Sequence, residues 1–256
     1  MTPFPANAGS TYRNRRSGGL NMVRKTKEDT EQTYTALLDA AERVFKDKGV
    51  AAATLNDIAG AAGMTRGAIY WHFKDKAELV HAMCERATLP MEAVFNEVTA
   101  VAGDDPLGSI RRLTVHALTQ VAQSPQQQTV FDILFHKCEK TGEMAPMFER
   151  EQQSRNECHS EIETMFRQAV KLGQLPADTD TAMAMQALHA FMIGLMHEWL
   201  LDPGAYDLAA HAEPLVDTLL AGLRIAPPRS KSAQGKLTAG ATASAPARTR
   251  REKIAA

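Results

Sequence analysis

The sequence predicts an all-α protein of about nine helices, a small helix-turn-helix head followed by a larger helical body. Three observations lead there. Residues 54–73, TLNDIAGAAGMTRGAIYWHF, read as two short helices joined by a glycine turn. Apolar residues recur at helical spacing along most of the chain. Runs of β-branched residues with period two, the mark of strands, do not occur.

Taken in order, residues 1–23 are expected to be a disordered extension. Residues 1–21 are polar, contain Gly and Pro and show no periodicity, and Met22 is a candidate natural start. A first helix is predicted over 30–48, where Tyr34, Leu37, Leu38, Ala41, Val44 and Phe45 repeat at helical spacing and Gly49 offers a C-cap. In the helix-turn-helix, Thr54 caps the first helix, with Asp57 three residues on making a near capping box, and Thr65 caps the second. Ala59 sits where the two helices cross and Gly63 where the chain must turn. Ile58, Ala62, Met64 and Ile69 supply its small core. The expected last core position is His72, with the apolar Phe73 one residue late.

Asp75 and Glu78 start a fourth helix, predicted to reach 100. GDDP at 103–106 opens a fifth, ending at 123 before SP. A sixth runs over 126–139, a seventh over 145–172, an eighth over 179–201 and a ninth over 208–225, separated by TGEM, LPAD and LDPGAYD. The domains expected are the extension to 23, a head at 24–76, a body at 77–226 and a disordered basic tail at 227–256, rich in Ala, Ser, Pro, Lys and Arg.

The second helix of the head carries the chemistry. At about 100° per residue, Arg66, Gly67, Tyr70, Trp71 and Lys74 share one outward stripe. A cation, a glycine and two large aromatics are costly on a bare surface and suit a helix lying in the DNA major groove. A helix-interior Gly costs about 1 kcal/mol against Ala, which close approach to DNA would justify. The blander reading is a helical hairpin with a wet outer face.

RGAIYWHFKDKAEL (66–79) resembles the DNA-binding segment of the TetR/AcrR family of bacterial repressors. MVRKTKEDTEQT (22–33), FHKCEKTGEM (135–144), QLPAD (174–178) and GLMHEWL (194–200) resemble its multidrug-efflux-repressor branch, the AcrR/TtgR type. The likeness runs from about 22 to about 225. It implies further base or phosphate contacts at Thr54, Thr65, Gly67, His72 and Lys76.

Charge is unevenly placed. Residues 1–27 hold six Lys and Arg and no acid, residues 228–256 seven and one acid, leaving 16 bases against 29 acids between them. An acidic body confines positive potential to a small face, here Arg24, Lys25, Lys27, Arg66, Lys74 and Lys76. The basic tail is as compatible with solubility as with DNA contact. No apolar run of 18 residues suggests a membrane span, and no apolar N-terminal segment suggests a secretory signal. Cys84, Cys138 and Cys158 stand far apart without CxxC spacing, which fits a reducing cytoplasm.

The body is rich in methionine: Met83, Met91, Met144, Met147, Met165, Met183, Met185, Met192 and Met196. Any one of these reads as core. By resemblance, a pocket among the fourth to eighth helices takes apolar drugs, dyes or plant phenolics, with Phe95, Leu113, His116, Ile133, Leu134, Cys138, Phe166 and Met192 as its expected lining. His136, Cys138 and Glu139 invite a metal reading, but only His136 and Glu139 have helical ligand spacing and no second cluster completes a site, so no cofactor is expected.

The eighth and ninth helices are apolar over more than one face: Ala187, Leu188, Phe191, Met192, Leu195, Met196 and Trp199 on one, Leu215, Val216, Leu219, Leu220 and Leu223 on the other. The family pairs its last two helices into a dimer, so Leu188, Leu195, Trp199, Leu215 and Leu219 are the expected interface of a homodimer on a palindrome. The function implied is a cytoplasmic, ligand-responsive repressor of an efflux operon, with operator DNA and an apolar inducer as partners. The alternatives are a regulator of the same build sensing a fatty acid or acyl-thioester, and an all-helical enzyme or binding protein with no DNA role. No GxSxG, Walker, HExxH or dinucleotide glycine motif supports the last.

Overall fold

The computed structural model describes residues 27–100, 103–140 and 142–229. Arg24, Lys25, the extension to residue 23 and the tail from 230 lie outside the described residues. Among the described residues there are nine α-helices and no strand. The head holds α1 (Lys27–Lys48), α2 (Leu55–Ala61) and α3 (Arg66–His72). The body holds α4 (Lys76–Ala100), α5 (Pro106–Gln123), α6 (Pro125–His136), a 3₁₀ turn at Gly142–Met144, α7 (Ala145–Lys171), α8 (Thr181–Leu201) and α9 (Leu208–Ile225).

Local chemistry starts these helices where the sequence places polar caps. Thr54 and Asp57 form a complete capping box, and Thr65, Asp105, Ser124, Asp180 and Asp207 each accept a backbone N–H at the start of α3, α5, α6, α8 and α9. Each such cap is worth about 1 kcal/mol. At the start of α4, Asp75 accepts the N–H of Glu78, and Glu78 reaches back to that of Lys74. Gly49 and Gly63, at φ +76° and +67°, end α1 and make the turn before α3, both in the left-handed region that other residues resist.

Two cores form, not one. The first joins α1, α2, α3 and the first half of α4, with Phe45, Ile58 and Ile69 fully buried. It also takes in Val130 and Ile133 of α6, and Met144 and Met147. The second joins α5, α7, α8 and α9, with Leu107, Leu118, Phe166 and Val216 at its centre. Helix α4 serves both. Ala87 is its last residue in the first core, Val94 and Phe95 pack on the second, and Pro90 lies between them. A proline there has no N–H to donate and its ring crowds the carbonyl four residues back, which favours a bend at the boundary.

Four boundaries differ from expectation by two residues or more, each for a local or tertiary reason. Helix α1 begins at Lys27, where Glu28 and Asp29 favour its positive end. Helix α6 stops at His136, because the carbonyl of Lys137 accepts Val50 N–H at 3.0 Å in the head. Helix α8 starts at Thr181, because Asp180 is its cap and Thr179 pairs with Arg229 in an isolated β-bridge. Residues 227–229, expected as the start of the tail, pack on the body: Pro228 O accepts Asp180 N–H, and Arg229 pairs with Asp178 at 2.9 Å.

Candidate DNA interface and ligand cavity

The outer face of α3 is the candidate DNA interface. Ile69 is its one fully buried residue, so the helix has a narrow inner edge and a broad outer face. Trp71 is 71% exposed and Tyr70 47%. The Arg66 guanidinium lies 5.3 Å from the Tyr70 ring centroid, one helical turn along. Gly67 is not required by internal packing: a Cβ there would meet only Thr65 Oγ1, at 3.9 Å. Its lack of a side chain is free to serve an outside partner. Thr54, Thr65 and Lys74 are exposed around this face. Thr65, Gly67, Trp71 and His72 share a groove with Thr30 at the start of α1.

Two of the expected contacts differ in character from the rest. Lys76 does not face outward. Its side chain is 11% exposed, and its ammonium donates to the carbonyls of Val50, Ala51 and Ala53 at 2.9, 3.3 and 2.9 Å and pairs with Glu143. It is a latch between α4 and the α1–α2 loop, spent on intramolecular bonds, and is removed from the DNA face. His72 is half-buried, its ring against Tyr34 and Trp71, while Phe73 takes the core position and stacks on Tyr34. The side chain of Lys27 lies outside the described residues.

The body holds a cavity of about 230 Å³ between α4, α5, α7 and α8. Helix spacing explains its walls. Met185, Leu188, His189 and Met192 lie at i, i+3, i+4 and i+7 on α8, and Arg155, Cys158, His159 and Ile162 repeat that spacing on α7. Met91 and Phe95 of α4 and Leu113, Thr114 and Ala117 of α5 close it.

Of the expected lining, Phe95, Leu113 and Met192 are there. The other five are not. Helix α6 and the loop after it supply no wall: Ile133, Leu134 and, past the helix end, Cys138 pack toward the head core. Phe166 is fully buried in the body core beyond the cavity's end. His116 sits about 100° round α5 from Ala117 and misses the stripe. The polar members Arg155, His159 and His189 were among the ten lining residues missed. The signal available was a histidine inside each apolar stripe. Burial pushes both imidazoles below their usual value, His189 to about 4 with His159 and Arg155 adding to the effect.

The expected dimer face divides. Leu188 lines the cavity, and Trp199 is buried with its indole N–H donating to Tyr206 O at 3.0 Å, so neither is available to a second chain. Leu195, Leu215 and Leu219 are half-buried on the body core, and Leu201 and Ile225, the last residues of α8 and α9, are exposed. His136 Nδ1 lies 2.8 Å from Asp132 Oδ1, one turn back, and α6 ends at His136, so Glu139 does not share a helix with it.

Comparison with known proteins follows this division. The family model described as bacterial regulatory proteins, tetR family, matches residues 37–83, and that of the MAATS-type transcriptional repressor, C-terminal region, matches 105–225. The chain is 39% identical over 206 residues to the HTH-type transcriptional regulator TtgR of Pseudomonas putida, covering 80% of this chain and 98% of that one. It is 36% identical over 199 residues to the regulator AcrR of Shigella flexneri, covering 78% and 93%. The crystal structure of NalD, the secondary repressor of the MexAB-OprM multidrug efflux pump in Pseudomonas aeruginosa, superposes with a TM-score of 0.71 at 36% identity, covering 78% of this chain and all of that one. With a helix-turn-helix displaying Arg66, Tyr70 and Trp71 and a likeness to these regulators over about four-fifths of its length, the chain belongs to the TetR family of bacterial transcriptional regulators.

Proposed function

We propose that the protein is a homodimeric repressor of a multidrug efflux operon, working in the cytoplasm on a palindromic operator and released by apolar drug-like molecules. Helix α4 carries this reading. Its first residue latches the head through Lys76, and its second half walls the cavity through Met91 and Phe95. A ligand seated against Phe95 therefore acts on the same rigid element that holds the head. Solved structures named as repressors of multidrug efflux pumps, NalD of Pseudomonas aeruginosa and SmeT of Stenotrophomonas maltophilia, support the choice of target.

The two heads of a dimer must sit about 34–36 Å apart to enter successive major grooves. A ligand that favours a different spacing a hundredfold shifts the equilibrium by about 2.7 kcal/mol. The half-buried Leu195, Leu215 and Leu219, with exposed Leu201 and Ile225, are the proposed interface between copies. Among the described residues no helix is long and apolar enough to cross a membrane.

The test is a fluorescence-anisotropy titration of the protein on DNA from upstream of its own gene and of the neighbouring efflux genes, followed by apolar antibiotics, dyes and flavonoids. Tight operator binding that several unrelated apolar compounds reverse is the expected result. Release by a single polar metabolite alone would replace the multidrug reading.

A further inference from the structure

Two histidines stand in the wall of an otherwise apolar cavity. His159 on α7 and His189 on α8 meet ring to ring, centroids 4.4 Å apart at 67°. His159 Nε2 is buried and has no hydrogen-bond partner among the described residues. An unpaired buried nitrogen is costly, and a purely structural wall would replace it with carbon. Arg155 lies one turn before His159 and is exposed, at the rim of the same wall.

The charge pattern of the wall has one sign. From α7 come Arg155, His159 and Cys158, whose thiol burial keeps protonated; from α8 comes His189. The described wall residues of α4 and α5 are Met91, Phe95, Leu113, Ala117 and Thr114, and the Thr114 hydroxyl is spent on Ile110 O at 2.8 Å. No described residue of the lining carries a carboxylate. Burial keeps both imidazoles neutral at pH 7, short of the countercharge that would let them ionise. The pair has no third ligand for a metal: among the described residues no group of three His, Cys, Asp or Glu is placed to hold one.

Resting on the ligand reading above, we propose that the cavity selects weakly acidic apolar molecules, an aromatic or alicyclic body with one acidic oxygen held between Arg155 and the His159–His189 pair. The body of such a molecule packs on Met185, Leu188 and Met192. A carboxylate draws one proton from solvent onto the imidazole pair as it binds, and an acidic phenol brings its own. A cationic drug meets a guanidinium and no described carboxylate, and is disfavoured.

The experiment is isothermal titration of the full chain with naphthoate, its methyl ester and naphthylmethylamine, at about pH 6, in two buffers of different ionisation enthalpy. Naphthoate is expected to bind about tenfold tighter than the ester, the effect of one charge-assisted hydrogen bond, with the amine weakest. About one proton is taken up with naphthoate and none with the ester. His159→Phe and His189→Phe lower naphthoate to the ester's affinity, abolish proton uptake and leave the ester unchanged. Arg155→Gln, at an exposed position, weakens naphthoate several-fold and keeps the test alive should a histidine variant unfold. Equal binding of acid and ester, or acid binding without proton uptake, overturns the selectivity and leaves the ligand cavity standing. Binding by none of the three overturns the ligand reading and this inference with it.

Discussion

In the head, Phe45, Ile58, Ile69 and Phe73 close the core completely, and the candidate chemistry lies outside it, on Arg66, Gly67, Tyr70 and Trp71. In the body, Phe166, Leu118 and Val216 close a second core only in part, and the candidate chemistry lies inside, in the gap bounded by Phe95, Met192 and the histidine pair. A recognition surface needs a rigid base, because a helix displaced by an ångström loses its register on the bases. A shape-tolerant site needs the reverse, walls of flexible methionine around unfilled space. Helix α4, with Pro90 between its two packed halves, couples the two.

The largest break in this comparison comes from the head core. Phe45→Ala is expected to cost about 3–5 kcal/mol, in denaturant unfolding, and to abolish operator binding through loss of fold. Met192→Ala, which enlarges an existing gap, should cost clearly less. Similar losses at both positions would show that the body is packed as tightly as the head.

Lys76→Met removes an ammonium from three carbonyls and a carboxylate, and should cost about 2–3 kcal/mol. Because Lys76 faces inward, the salt dependence of operator binding should keep its slope, whereas Lys74→Ala should lower it by about one. A slope that changes with Lys76 would return that residue to the DNA face. Arg66→Ala should lower operator affinity by about 1–3 kcal/mol, with unchanged thermal unfolding. A loss of stability in place of affinity would make Arg66 a scaffold residue through its contact with Tyr70.

Thr54→Ala opens the capping box and should cost about 1 kcal/mol, without touching ligand binding. The remaining effect is a pH slope in the body. Unfolded His189 takes a proton near 6.5, and folded His189 only near 4. Between those values the unfolded chain binds more protons, so stability falls as pH drops from 6.5 toward 4 and is unaffected by this group above that window. Thermal unfolding across that range should show a shallower slope in His189→Phe. An unchanged slope would remove the neutral histidine from the account of the cavity.

The head was legible because its signals are local. Thr54 with Asp57, Gly63 and the outward stripe of α3 each act within a few residues, where helix geometry alone decides direction. Lys76 was misread for the same reason. Basic composition near a recognition helix says nothing of the carbonyls of Val50, Ala51 and Ala53, which reach it only when α4 folds back on the α1–α2 loop.

In the body, the sequence by itself determined which helices exist, nearly where each begins, and that apolar faces outnumber the needs of one helix packed alone. Which face meets which neighbour was decided only by the tertiary structure. Ile133 and Leu134 of α6, and Cys138 just past its end, are as apolar as any wall of a pocket, yet they complete the head core. Leu188 reads as readily as interface as it does as lining, and Trp199 goes inward because Tyr206 O accepts its indole N–H. Helical periodicity records the angle of a residue about its own axis and nothing of what lies across from it. Where several faces are equally apolar, their free energies of burial are nearly equal by composition, and only the packing of all the helices together selects one.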